Sequence, residues 1–137
     1  MLVKEAMRLG TEWVEPKATV KDMAVKMRDL SIGSLAVCNK DRLVGIVTDR
    51  DIALRCCADA KDPAKTTAEA IMTKDIAWCY EDQDIEDATH VMEGKHVRRL
   101  PVLDRSEHLV GFLSVDDLSR KGSYNLAGEV IQAAAAH

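Results

Sequence analysis

Two stretches of this chain carry residues whose types and spacing could do chemistry. They are Gly45-Ile46-Val47-Thr48-Asp49-Arg50-Asp51 and Gly111-Phe112-Leu113-Ser114-Val115-Asp116-Asp117. Both read glycine, two apolar residues, a hydroxyl residue, two variable positions and aspartate. The glycine lets backbone approach closely, and the apolar pair reads as the end of a buried strand. The hydroxyl then falls where strand meets helix. There a helix leaves N–H groups unpaired and presents the positive end of its dipole, which suits a phosphate. The aspartate one turn on can accept hydrogen bonds from a vicinal diol such as ribose. Phosphate donors and a diol acceptor at fixed separation describe a nucleotide site. The same spacing, Thr48-x-x-Asp51 and Ser114-x-x-Asp117, is also close to a capping box, which serves only the helix. Duplication does not separate the two readings, because duplicated caps look the same.

Other reactive residues offer less. The four cysteines, Cys38, Cys56, Cys57 and Cys79, form no C-x-x-C pair and no Cys/His pattern with metal-ligand spacing. They read as reduced thiols, with a redox pair of Cys38 and Cys79 as the alternative. Cys56 and Cys57 are neighbours, and a disulfide between them would be strained. His90 and Glu93 stand three apart on a helical stretch without a third ligand, so a surface histidine is expected and no metal site. The methionines of the two longer helices read as packing residues. No nucleophile, base and orienting group assemble from these motifs, so no enzyme is expected.

Composition narrows the classes further. The chain has 137 residues, 47% hydrophobic and 31% charged, with a net charge of −4. That is a globular profile rather than a disordered or disulfide-stapled one. Nucleic-acid binders usually carry a basic surplus, and single-strand binders carry stacking aromatics. With 19 basic against 23 acidic residues, and two Trp, two Tyr and one Phe, this chain shows neither. Met1 to Gly10 lacks the apolar run of a signal peptide, and no stretch approaches a membrane span. The expectation is a cytoplasmic protein with no membrane and no nucleic-acid partner.

The elements that must position the two motifs emerge from a repeat. A shift of 65 residues pairs Met7 with Met72, Trp13 with Trp78, Asp22 with Asp87, Met27 with Met92, Leu35 with Leu100 and Val37 with Val102. A shift of 66 then pairs Leu43-Val44-Gly45 with Leu109-Val110-Gly111, and Asp51 with Asp117. Ten identities over about 48 positions exceed the roughly three that composition alone would give. Each copy reads β-α-β-β-α. Trp13-Val14 and Ile76 to Tyr80 are apolar and aromatic enough for short strands. Helices follow, capped by Thr19 and Asp84, with Val20, Met23, Ala24, Met27 and Leu30 in one stripe and Ile85, Ala88 and Met92 in the other. Gly33 and Gly94 read as C-terminal signals. Two strands come next, Leu35 to Cys38 with Leu43 to Val47, then Leu100 to Leu103 with Leu109 to Leu113. Short helices start near Asp49 and Val115. Thr67 is a candidate cap for a helix over Ala68 to Met72. A unit of about 50 residues buries too little surface alone, so the two copies are expected to pack together.

A G-h-h-[T/S]-x-x-D stretch closing a β-α-β-β-α repeat resembles the CBS domain, and two in tandem resemble the CBS pair, or Bateman module. His96-Val97-Arg98-Arg99-Leu100-Pro101-Val102 is close to that family's wording for its strand, and Ser31-Ile32-Gly33-Ser34-Leu35-Ala36-Val37 is a common variant. The resemblance covers about residues 2 to 121. With no catalytic domain expected beside it, the chain resembles a stand-alone bacterial-type CBS-pair protein, and its order of elements is similar to that of the mycobacterial hypoxic response protein family. The resemblance implies an α/β (α+β) fold of two repeats with pseudo-twofold symmetry. The expected division is repeat 1 over 1–58, a linker over 59–66, repeat 2 over 67–121 and a helical tail over 122–137. It also implies clefts between the repeats for an adenosine-containing ligand: AMP, ADP, ATP or S-adenosylmethionine, with no required cofactor. Thr48 and Ser114 would meet phosphate or ribose hydroxyls, Asp51 and Asp117 would hold ribose, and Arg98 and Arg99 would reach phosphates. Gly33 and Ser34 replace the arginines in the first repeat, so the two clefts are expected to bind unequally.

The function this supports is a regulatory ligand-binding module, sensing an adenine nucleotide and altering a homodimer or a regulated partner protein. Two alternatives stand beside it. One is a structural homodimer without bound nucleotide, and the other is a thiol- or metal-responsive protein using the cysteines.

Overall fold

A computed structural model describes residues 1–10, 12–121 and 124–135 of the chain. In order, the elements are α1 (Val3–Ala6), β1 (Arg8–Leu9), β2 (Trp13–Val14), α2 (Val20–Leu30), β3 (Ser34–Asn39), β4 (Arg42–Thr48) and α3 (Asp49–Ile52). A π-helical turn (Ala53–Cys57) continues α3. Then come α4 (Ala68–Ile71), β5 (Cys79–Tyr80), α5 (Ile85–Lys95), β6 (Arg99–Leu103), β7 (Leu109–Ser114), α6 (Val115–Arg120) and α7 (Tyr124–Ala135). The fold is mixed α/β, with its strands in two small sheets. The chain forms two compact units, residues 12–76 and residues 1–11 with 77–137.

In unit 12–76 the sheet order is β2-β3-β4. β2 runs parallel to β3, with Val14 beside Val37, and β3 and β4 form an antiparallel hairpin. Leu35, Val37 and Val47 turn inward against Val20, Met23 and Met27 of α2, and Cys56, Ala68 and Ile71 complete this core. The other unit repeats the plan in the order β1-β7-β6-β5. Leu100, Val102 and Leu113 meet Ile85, Ala88 and Met92 of α5, with Val3, Ala6 and Leu118. Both hairpins slip register at the same point of the repeat, after Val37 and after Val102. α7 packs on α5 and α6, and its Ala127 and Val130 join this second core. The tail is thus helical over Tyr124–Ala135, while residues 122, 123, 136 and 137 lie outside the described residues.

Caps and stops explain the element limits. The Thr19 hydroxyl accepts from Asp22 N, and the Asp84 carboxylate accepts from Glu86 N. The helix ends differ from expectation. Gly33 lies past the end of α2 and Gly94 lies inside α5; the left-handed stop residues are Ser31 (φ 54°) and His96 (φ 56°). Beyond them Ile32 N and Val97 N return to Met27 O and Met92 O, each at 3.0 Å. That bond satisfies a terminal carbonyl and seats an apolar residue on the helix end. Strand structure in the Ile76 to Tyr80 stretch is confined to Cys79–Tyr80. Thr67 stands at the N-cap of α4 without a side-chain capping bond.

The sequence repeats 1–58 and 67–121 and the packed units are cut at different points. α1 and β1 precede the first repeat's sheet but belong to the unit of the second, where Leu2 bridges Asp84 and β1 pairs with β7. Reciprocally, α4 sits in unit 12–76, where Thr67 bridges Thr19 and Thr73 bridges Ile46. The glycine of each motif makes this possible. A Cβ at Gly111 would run into the Arg8 carbonyl oxygen, and one at Gly45 would meet Met72 Sδ and Thr73 O. The residues assigned to the linker, 59–66, are tied into unit 12–76: Val20 N donates to Thr66 O and Lys21 N to Pro63 O.

Candidate functional site

Each motif forms a corner where the last strand of a hairpin turns into a short helix. In unit 12–76, β4 ends at Thr48 opposite Ser34, and α3 starts at Asp49. Thr48 N donates to Asp51 Oδ2 at 2.9 Å, and Asp51 N donates to Thr48 Oγ1 at 3.1 Å. That is a reciprocal capping box, so the cap is real in this copy. The N–H groups expected to await a phosphate are taken. Asp49 N donates to Gly33 O, Arg50 N to Asp49 Oδ1 and Asp51 N to Thr48 Oγ1. The box and the crossing strand end consume the donors that an isolated helix start would leave open. What remains is an acceptor. Asp51 keeps its side chain 15% exposed, with the Arg55 guanidinium 3.9 Å from Oδ1. Arg55 spends its shorter bonds on Ile71 O (2.9 Å) and Thr73 Oγ1 (3.3 Å).

The second corner has the same backbone and different surroundings. β7 ends at Ser114 opposite Arg99, and α6 starts at Val115, whose N–H donates to Arg98 O. Ser114 N and Ser114 Oγ donate to Asp117 Oδ2 at 2.8 and 2.9 Å, and Asp117 N returns to Ser114 Oγ at 3.2 Å. Asp117 Oδ1 receives Arg8 Nε at 3.3 Å and forms an ion pair with Arg120. The Asp117 side chain is 1% exposed. Arg98 and Arg99 are both exposed, with Arg99 across the hairpin from Ser114.

The six residues read from sequence therefore fall into two groups. Thr48 and Asp51 meet in one unit, and Ser114, Asp117, Arg98 and Arg99 gather at one corner of the other. Arg8 and Arg120 were missed. The repeat carries a usable signal: at its shifts of 65 and 66, Arg8 aligns with Thr73 and Arg120 with Leu54. A cation at both places in only one copy marks that copy's aspartate for pairing.

The cysteines lie apart from this chemistry. Cys38, Cys56 and Cys79 are buried, Cys57 is exposed, and all four are free thiols. Burial, with a smaller push from Asp41, raises the Cys38 pKa to about 11. Burial alone raises that of Cys79 to about 12. Thiols held protonated in this way are poor nucleophiles and poor metal ligands. His90 is exposed, and Glu93 Oε1 is buried without a hydrogen-bond partner. Among the described residues no three His, Cys, Asp or Glu side chains cluster for a metal ion, and no helix is long and apolar enough to cross a membrane.

Comparison with known proteins agrees with the fold. Protein MK0525 of Methanopyrus kandleri is 33% identical over 113 residues, which is 82% of this chain and 58% of that protein. Hypoxic response protein 1 of Mycobacterium tuberculosis is 36% identical over 119 residues, 85% of this chain and 82% of that one. Among solved structures, the CBS domain pair of protein MJ0100, in complex with 5-methylthioadenosine and S-adenosyl-L-methionine, superposes with a TM-score of 0.77. It is 26% identical and covers 91% of this chain and 98% of that one. The model of the CBS domain matches twice, over residues 3–56 and 68–123, the two stretches that the repeat and both corners define. The chain belongs to the CBS domain family, as a tandem pair.

Proposed function

We propose that the chain is a regulatory module that takes an adenosine-containing ligand through its ribose at the Thr48–Asp51 corner. The observation that carries this reading is the state of Asp51. Its Oδ2 is held by Thr48 N, so the carboxylate is fixed in direction, while Oδ1 has no hydrogen bond shorter than its 3.9 Å approach to Arg55. A fixed carboxylate with acceptor capacity left at its rim is what a vicinal diol needs. The corner supplies few backbone donors, so it recognises the sugar rather than a phosphate. The likeness to MJ0100, which holds two adenosine-derived ligands, supports the ligand class. At the other corner Ser114 and Asp117 hold the same places, with Asp117 already paired to Arg8 and Arg120 and with Arg98 and Arg99 exposed.

The ligand acts by population shift. It favours whichever arrangement of the chain, or of a homodimer, holds it better, and a regulated partner reads the difference. No step of bond making is assigned to any residue. Isothermal titration of the protein with AMP, ATP and S-adenosylmethionine tests the reading. Binding by the wild type and at least tenfold weaker binding by Asp51→Asn are expected. Absence of binding to all three at millimolar concentration overturns it.

A further inference from the structure

We infer that Arg8, on the chain's own N-terminal arm, occupies the acceptor that the Ser114–Asp117 corner would otherwise offer a ligand. The chain therefore takes one adenosine-type ligand, at the Thr48–Asp51 corner, and keeps its second corner closed as the anchor of that arm. The ligand half of this inference rests on the function proposed above; the anchor half does not.

The argument is a count of lone pairs. An ionised carboxylate offers about four acceptor sites. At Asp117, Oδ2 receives Ser114 N and Ser114 Oγ, and Oδ1 receives Arg8 Nε and the Arg120 guanidinium. Every site is taken, and the group is sealed from water at 1% exposure. At Asp51 the same box supplies Thr48 N, and no guanidinium comes within hydrogen-bond reach. The two corners share the capping box, so the difference lies in what else reaches the carboxylate: Ser114 Oγ at Oδ2 and two guanidiniums at Oδ1 of Asp117.

Arg8 is placed there by the fold, not by chance contact. Its backbone pairs with Phe112, and that of Leu9 with Gly111, on the strand that ends at Ser114. Gly111 has no Cβ, which is why the Arg8 carbonyl can lie against it. The arm thus lies along β7, and its side chain closes over the carboxylate at the strand's end. In unit 12–76 the same position of the arm is Thr73, which bridges Ile46 and has no charge to offer Asp51. A diol approaching Asp117 must displace a guanidinium from Oδ1, and the Arg8 side chain is 64% exposed against 54% for Arg120.

Titration calorimetry with AMP, on wild type and Arg8→Ala, reads the ligand half. The expected stoichiometry is one AMP per chain for the wild type and two for Arg8→Ala, with the second event absent from the double variant Arg8→Ala/Asp117→Asn. Two AMP per wild-type chain, or one per chain in Arg8→Ala, overturns the closed corner while leaving the proposed function intact. Amide hydrogen exchange without ligand reads the anchor half. Arg8→Ala should speed exchange at Leu9 and Phe112 by about tenfold or more, leaving Ile46 and Thr73 unchanged. If neither protein takes up AMP, ATP or S-adenosylmethionine at millimolar concentration, the proposed function falls and the ligand half with it. Unchanged exchange at Leu9 and Phe112 overturns the anchor.

Discussion

Replacing the two motif glycines by alanine should have unequal costs, and the inequality follows from what each glycine faces. A Cβ on Gly111 would overlap the carbonyl oxygen of Arg8 and crowd Met7 Sδ at 3.3 Å. The carbonyl belongs to a paired strand, so it can yield only if β1 separates from β7. Separation forfeits backbone hydrogen bonds worth about 1 kcal/mol each. It also loosens an ion pair that, with Arg8 largely exposed, contributes no more than about 1 kcal/mol. Gly111→Ala is therefore expected to destabilise by about 2–3 kcal/mol, in the range of overpacked sites. At Gly45 the first obstacle is Met72 Sδ, the flexible end of a side chain, with Thr73 O next at 3.0 Å. Gly45→Ala should cost about 1 kcal/mol, since the thioether can swing aside. Gly94, inside α5 with nothing within 4 Å of its would-be Cβ, is the control. Gly94→Ala should stabilise by up to about 1 kcal/mol. Urea unfolding of the three variants measures these costs, and thermal unfolding should show a fall in Tm on the order of 10 °C for Gly111→Ala. If Gly111→Ala unfolds no more readily than Gly45→Ala, the arm is not held against β7 as described.

Two further outcomes are expected. In the native protein only Cys57 should react promptly with a thiol reagent near pH 8, because Cys38 and Cys79 titrate at about 11 and 12 and Cys56 is buried, its Sγ 3.5 Å from Lys61 O. Thiol counting before and after denaturation checks this, and two or more fast thiols in the folded state would refute it. Asp82 is held below its ordinary value of 3.8, first by its hydrogen bond from Arg105. A depressed carboxylate contributes stability above its unfolded pKa and loses it as pH falls through the folded one, so Arg105→Ala should raise the Asp82 pKa and flatten the acid limb of the stability curve. Carboxyl NMR titration reads the pKa directly; an unmoved Asp82 would refute the pairing.

Much of this fold was legible because periodic segments announce themselves. The stripes Val20-Met23-Met27 and Ile85-Ala88-Met92 place both helices, and Thr19 and Asp84 cap them as their side chains suggest. The hairpin strands were legible from unbroken apolar runs. Helix stops were not, because Ser31 and His96 adopt a left-handed conformation that glycine adopts more readily, while the nearby Gly33 and Gly94 carry the stronger sequence signal. The exchange of arms was also hidden. Segments of four and two residues, such as α1 and β1, carry no period, and their partners lie some hundred residues away in sequence. The capping box and the proposed diol acceptor use the same two residues, so spacing alone could not choose between them.

The two corners show what does choose. Thr48–Asp51 and Ser114–Asp117 share motif, register and capping box, so the motif records a requirement of the backbone: a strand that turns into a short helix needs its first N–H groups satisfied. Capping uses one carboxylate oxygen and leaves the other to the surroundings. Where the arm carries Thr73, that oxygen has the Arg55 guanidinium near it only at 3.9 Å; where it carries Arg8, backed by Arg120, it is filled. A cap and a binding site are then not rival explanations of the same residues. The cap is common to both copies, and the copies differ in the charge on the arm that lies along the last strand.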